Sequence, residues 1–185
     1  MTTPPLPSPA AGAMGSRVLF VIATAAQSGK STASRRLAAR LGVEIGMTSA
    51  VISERLDQRL GLPAGSVAAA RRHNPERYRA EIVAEGDAMR AEGRSPGEVC
   101  VDRGYRLVDG IRVASEIAAA MAVARERGLV PSVLCIERPG EHPADNTEPE
   151  ALRAMAERVI ANDGSIAHFH AQIDAVANEL LGRAA

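Results

Sequence analysis

The segment TAAQSGKST at 24–32 carries the most legible chemistry in this chain. It follows a short apolar run, RVLFVIA at 17–23, and leads into STASRRLAARLG at 31–42, so it lies where a buried strand turns into a helix. That setting makes an anion site, because the first amides of a helix have no partner within it and carry a partial positive charge. Gly29 lets the backbone approach a phosphate closely. Lys30 offers a compact positive charge to β and γ phosphates, Ser31 a hydroxyl ligand for Mg²⁺, and Thr32 a hydroxyl within reach of the α phosphate. Lys30 is also the one lysine among 22 basic side chains, so the charge type at this position stands apart from the arginine used elsewhere. The phosphate-loop pattern G-x-x-x-x-G-K-[ST] has a glycine where this chain has Thr24. If that position required a positive φ, threonine would cost about 1–2 kcal/mol.

Transfer of a phosphoryl group needs further cations to hold the acceptor and to offset developing charge. Arg112 follows RLVDGI at 106–111, and Asp109 stands at the same strand end, placed to hold Mg²⁺ through water. Arg138 follows PSVLCIE at 131–137 and opens the polar stretch RPGEHPADNT, long enough to act as a lid near 138–150. Arg90 shares a helix face with Asp87. No residue stands out as a general base, but an acceptor phosphate is already ionised at neutral pH and needs positioning more than deprotonation. His73, His142, His168 and His170 have no metal-ligand spacing, and Arg71-Arg72-His73 before Asn74-Pro75 reads as a solvated turn.

These residues need a frame, and the chain supplies an alternation of strands and helices. Strands are expected at 17–23, 43–47, 106–111, 131–137 and 159–161. Helices are expected at 31–41, about 49–60, 75–92, 96 to about 103, 113–127, from the Thr147/Glu150 cap pattern to about 158, and after Ser165. SPGE at 95–98 is a capping-box sequence with Pro96 at the first helical position. The pattern predicts a doubly wound α/β domain over 16–185, a three-layer phosphate-loop fold with a five-stranded parallel sheet, behind a disordered Pro/Ala-rich tail at 1–15.

Composition narrows the partners. With 22 basic and 22 acidic residues the chain lacks the basic excess of a nucleic-acid or membrane-surface binder, and aromatic residues at 2% are too few for base-stacking platforms. The expected core is therefore aliphatic and alanine-rich. Cys100 and Cys135 read as packed, reduced thiols, which with the missing signal-peptide pattern points to a cytoplasmic setting.

The same residues resemble the phage-type deoxynucleoside monophosphate kinases, a branch of the nucleoside and nucleotide kinases, over most of 17–182. Besides the loop, YRAEIVAEGDAMR at 78–90 is similar to that family's Leu-Gln-x-x-Gly-x-x-x-Arg segment through Gly86 and Arg90. LVDGIRVASE at 107–116 is similar to its Asp-x-Arg-x-x-x-Glu strand end, and VIANDGSIAHFHAQIDAV at 159–176 to its closing strand, Asn-Asp-Gly turn and helix. The resemblance implies an adenylate-kinase-like fold with a short lid and transfer from Mg-ATP to a (deoxy)nucleoside monophosphate. It places Asn162, Asp163 and Gly164 beside the adenine, Tyr78, Arg90, Arg112 and Glu116 at the acceptor, and Lys30, Arg112 and Arg138 in catalysis. Small nucleotides would be the partners, with self-association into a homodimer left open. Dephospho-coenzyme A kinases share the closing motif and form the alternative, although EIGMTSAVISERLDQR at 44–59 lacks their aspartate-rich segment. An alternative of another class is a regulatory module that binds ATP without turnover, suggested by Thr24.

Overall fold

The computed structural model describes residues 14–140 and 148–182. Its elements are β1 (Arg17–Ala23), α1 (Lys30–Leu41), β2 (Ile45–Met47), α2 (Thr48–Arg59), α3 (Ser66–His73), α4 (Arg79–Ala91) and α5 (Pro96–Asp102). They continue with β3 (Leu107–Asp109), α6 (Ala114–Glu126), β4 (Val130–Glu137), α7 (Pro149–Met155), β5 (Arg158–Ala161) and α8 (Ile166–Leu180). The five strands form one all-parallel sheet, as the alternation of elements predicts, and their order is β2-β3-β1-β4-β5.

Strand β1 is central and buried on both faces, and the alternation of its side chains divides the core in two. Val18, Phe20 and Ile22 join Val51, Ile52 and Leu56 of α2, Met89 of α4, Val101 of α5 and Ile117 and Ala120 of α6. Leu19 and Val21 face the other way, onto Ala33, Leu37 and Leu41 of α1 and Phe169 and Ile173 of α8. Met14 is buried in that second cluster, so ordered packing begins inside the segment read as tail; residues 1–13 of that tail lie outside the described residues. Cys100 and Cys135 are fully buried, and burial pushes both thiols up to about 12, well away from reactive thiolate. Among the described residues no helix is long and apolar enough to cross a membrane.

Helix ends depart from expectation where longer-range contacts intervene. The helix read over 75–92 starts only at Arg79, because Tyr78 has φ 61° and Asn74 accepts from the Arg77 and Glu76 amides to make a turn. The helix read to about 158 stops at Met155, since the Glu157 amide bonds to the Val133 carbonyl and starts the pairing of β5. The capping box forms as read, with Ser95 accepting from the Glu98 amide and the Glu98 carboxylate from the Ser95 amide. Thr147 and most of the proposed lid fall at 141–147, outside the described residues. Arg71-Arg72-His73, read as a turn, instead forms the last turn of α3, where positive charge complements the helix's exposed carbonyls.

Helix α1 lies on one face of the sheet and α6 on the other. Their parent strands, β1 and β3, are neighbours. The crevice beyond the carboxyl ends of these two strands is the switch point at which open α/β sheets bind ligands.

Candidate active site

The loop 24–29 joins β1 to α1 at this crevice. Gly29 has φ 96° and Gln27 φ 56°, whereas Thr24 is not among the left-handed residues. The threonine therefore occupies ordinary backbone, and the cost that its β-branching would carry in a left-handed conformation does not arise. Helix α1 starts directly from Gly29, whose carbonyl accepts from the Thr32 and Ala33 amides at 3.0 Å. Among the described residues no side chain caps α1, and no acidic residue sits in its first turn, so its leading amides are left without a side-chain partner. The Ser28 hydroxyl, at the floor of the loop, is buried with no hydrogen-bond partner among the described residues.

Lys30 and Asp109 meet across the crevice as an ion pair. Register dictates this: Asp109 pairs with Val21 at the carboxyl edge of the sheet, one loop away from Lys30. Asp109 is 3% exposed, so its charge depends on the ammonium for compensation. Gly110, at φ 107°, turns the chain out of β3 so closely past α2 that a Cβ there would collide with the Thr48 Oγ1.

A second group lies on α4 and α6. Arg90 donates to Glu116 at 3.0 Å and to Asp87 at 2.5 Å, and Glu116 also accepts from the Gly97 amide at 2.9 Å. Gly86 explains the spacing it shares with Arg90: a Cβ there would stand 3.2 Å from Ile52 Cδ1 and 3.4 Å from the guanidinium lying over it. The Glu116 carboxyl is held above the ordinary carboxylate range. Burial is the main cause, while the Gly97 amide and Arg90 oppose it. A carboxyl that binds its proton more tightly folded than unfolded costs stability as pH rises from about 4.5 towards neutrality. Glu116→Gln keeps an acceptor for Gly97 and cannot ionise, so its Tm relative to wild type is expected to climb over that range. Melting curves of both proteins across the interval check this, and a falling difference would show that the Arg90 pair outweighs burial.

The remaining predicted residues divide between these groups. Arg138, at the end of β4, reaches the Gln27 carbonyl at 3.4 Å, and Asn162 donates to the Ser28 carbonyl at 2.9 Å, so both lie against the loop. Gly164 is exposed and packs by its His168 neighbour. Arg112 is exposed beyond Ile111. Tyr78 is half-buried beneath the Arg77 guanidinium, 5.3 Å from ring centroid to cation, and among the described residues no hydrogen bond joins it to Arg90 or Glu116. Two residues at the loop were not anticipated: Ser28, and Phe169, whose ring backs Gly29.

The oxygen donors present suit Mg²⁺. Ser31 is exposed at the mouth of α1, and Asp109 spends only Oδ1 on Lys30. Among the described residues no group of three or more metal-ligating side chains exists, and Mg²⁺ bound with a nucleotide typically takes only one or two protein oxygens.

No protein-family model matches the chain, and a search of curated proteins finds no match. Among solved structures the chain is similar to a Chloroflexus aurantiacus protein provisionally named a kinase, with 13% identity, covering 91% of this chain and 98% of that one at a TM-score of 0.48.

Proposed function

We propose that this chain is an ATP-dependent phosphotransferase whose acceptor is a (deoxy)nucleoside monophosphate. The observation that carries the donor side is the meeting of Lys30 and Asp109 at the uncapped mouth of α1, a cation at the start of the helix and an oxygen donor at the end of β3. The α1 amides and the Lys30 ammonium would take the phosphate oxygens of ATP, with Lys30 exchanging part of its contact with Asp109 for phosphate. Mg²⁺, held by Ser31 and Asp109 together with the phosphates, would neutralise charge on the triphosphate. An acceptor phosphate oxygen attacks the γ phosphorus in line, the bond from that phosphorus to the β–γ bridging oxygen breaks, and ADP leaves.

The acceptor side rests on the resemblance and on the placing of cations. Arg112 is exposed just beyond β3 and Arg138 lies against the loop, so both could meet charge on the transferred group. Arg90 is already held between Glu116 and Asp87, a geometry that fixes its guanidinium for an incoming phosphate but leaves it to trade one carboxylate for the substrate. The motive for a non-catalytic module weakens, since Thr24 carries no backbone strain.

The test is a coupled ADP-release assay with Mg-ATP against dAMP, dGMP, dCMP, dTMP and dephospho-coenzyme A. Turnover with one or more monophosphates is the expected result. Turnover with dephospho-coenzyme A alone would replace the acceptor assignment, and ATP binding with no turnover on any acceptor would favour the binding module.

A further inference from the structure

We infer that Asn162, backed by Phe169, is a positioning residue that sets the conformation of the loop 26–29 and through it the affinity for the donor nucleotide. The inference rests on the phosphotransferase reading above and gives Asn162 a role other than contact with a base. Three observations place it there. The first is that Asn162 is itself fixed: its amide donates to the Glu137 carbonyl at 2.7 Å, and Gln172 ties the preceding Ala161 carbonyl at 3.2 Å, so its side chain is presented from the rigid end of β5.

Secondly, its Nδ2 donates to the Ser28 carbonyl at 2.9 Å. In a trans peptide the C=O and the following N–H point in opposite directions. Holding the Ser28 oxygen towards Asn162 therefore turns the Gly29 N–H away from Asn162. A Ser28 peptide flipped the other way would withdraw that donor and present an oxygen dipole in its place. Thirdly, the fit at Gly29 is close: a Cβ there would lie 2.7 Å from Asn162 Nδ2 and 3.1 Å from the Phe169 ring, a ring only 1% exposed. The left-handed angle at Gly29 is thus supported from behind by Asn162, just past β5, and by Phe169 of α8.

The decisive variant is Asn162→Asp, which keeps the side chain's shape and replaces its donor with a second acceptor facing the Ser28 carbonyl. In the full chain, Kd and KM for Mg-ATP are expected to rise about tenfold or more, with kcat at saturating ATP within about threefold and the acceptor KM unchanged. Without nucleotide, amide hydrogen exchange at 26–29 is expected to quicken while exchange in α6 stays at the wild-type rate. Asn162→Ala should act in the same direction without the added charge, so a folding defect peculiar to the aspartate does not decide the matter. Unchanged ATP affinity in both variants, or a parallel rise of both KM values with faster exchange throughout the sheet, would overturn the inference. A wild-type chain that does not bind ATP would overturn the phosphotransferase reading instead, and the exchange rates at 26–29 would still decide whether Asn162 holds the loop.

Discussion

Replacing Lys30 by alanine is expected to lower ADP release at saturating Mg-ATP and acceptor by about a thousandfold or more, and also to destabilise the protein. The activity loss follows from removing the ammonium at the mouth of α1 that would bridge the β and γ phosphates. The stability loss follows from the partner: Asp109 is 3% exposed and Lys30 is its ion-pair partner, so truncation leaves a buried carboxylate uncompensated. Breaking such pairs costs several kcal/mol when both groups are buried. Lys30 is partly open to solvent, so about 1–3 kcal/mol is expected here. The double variant Lys30→Ala/Asp109→Asn should regain most of that stability and none of the activity. Chemical denaturation of the three proteins beside the ADP-release assay checks both parts. Undiminished turnover would sink the loop assignment, and undiminished stability would show that the pair does not persist in solution.

Gly29→Ala is expected to have the second large effect, a loss of ATP affinity of about a hundredfold or more. The position has φ 96°, which a side chain rarely adopts, and its Cβ would collide with Asn162 and press on Phe169. The chain contains its own comparison. Gly128, after α6, also has a positive φ of 71° but no atom within 4 Å of the added carbon, so Gly128→Ala should cost only the backbone term of about 1 kcal/mol and leave nucleotide binding intact. Calorimetric titration with Mg-ATP, together with melting of both variants, separates the two contributions. Equal behaviour of the two variants would mean that the wall behind Gly29 does not constrain the loop.

Much of this arrangement is legible from residue order, because its determinants are local. The apolar run of β1, the heptad-like faces of α1 and α8 and the Ser95-Pro96-Glu98 cap each act within a few residues of themselves. Helix α3 escaped for the opposite reason. It is short, follows the Gly61-Leu62-Pro63 break, buries only Val67, and is started by a carboxylate from another helix: Asp57 of α2 accepts from the Gly65 and Val67 amides at 2.7 and 2.9 Å. Nothing in the string 66–73 announces a cap supplied from eight residues upstream of the first amide that donates to it.

The candidate site shows the same division. Lys30, Ser31 and Asp109 can be picked out from type and spacing, because a strand end and a helix start fix where they stand. That Arg90 and Glu116 hold each other, or that Asn162 reaches Ser28, depends on which helices cross and which strands adjoin, and such contacts have no signature in either segment alone. Thr24 is the instructive case. Judged against a pattern it is a defect, yet the left-handed positions of this loop fall at Gln27 and Gly29, so the substitution sits where the backbone tolerates it.

The central place of β1 bears on the order in which this molecule assembles. Strand β1 finds its partners only from Leu107 in β3 and Val130 in β4, and neither exists until long after β1 itself has been synthesised. Until then the run Val18-Leu19-Phe20-Val21-Ile22 has no sheet on either side to shield it. Contacts so distant along the chain make for slow folding, and an unshielded β-prone segment is what self-associates in the meantime. Yield in a host cell should thus depend on temperature and chaperone supply more than the stability of the finished protein would suggest.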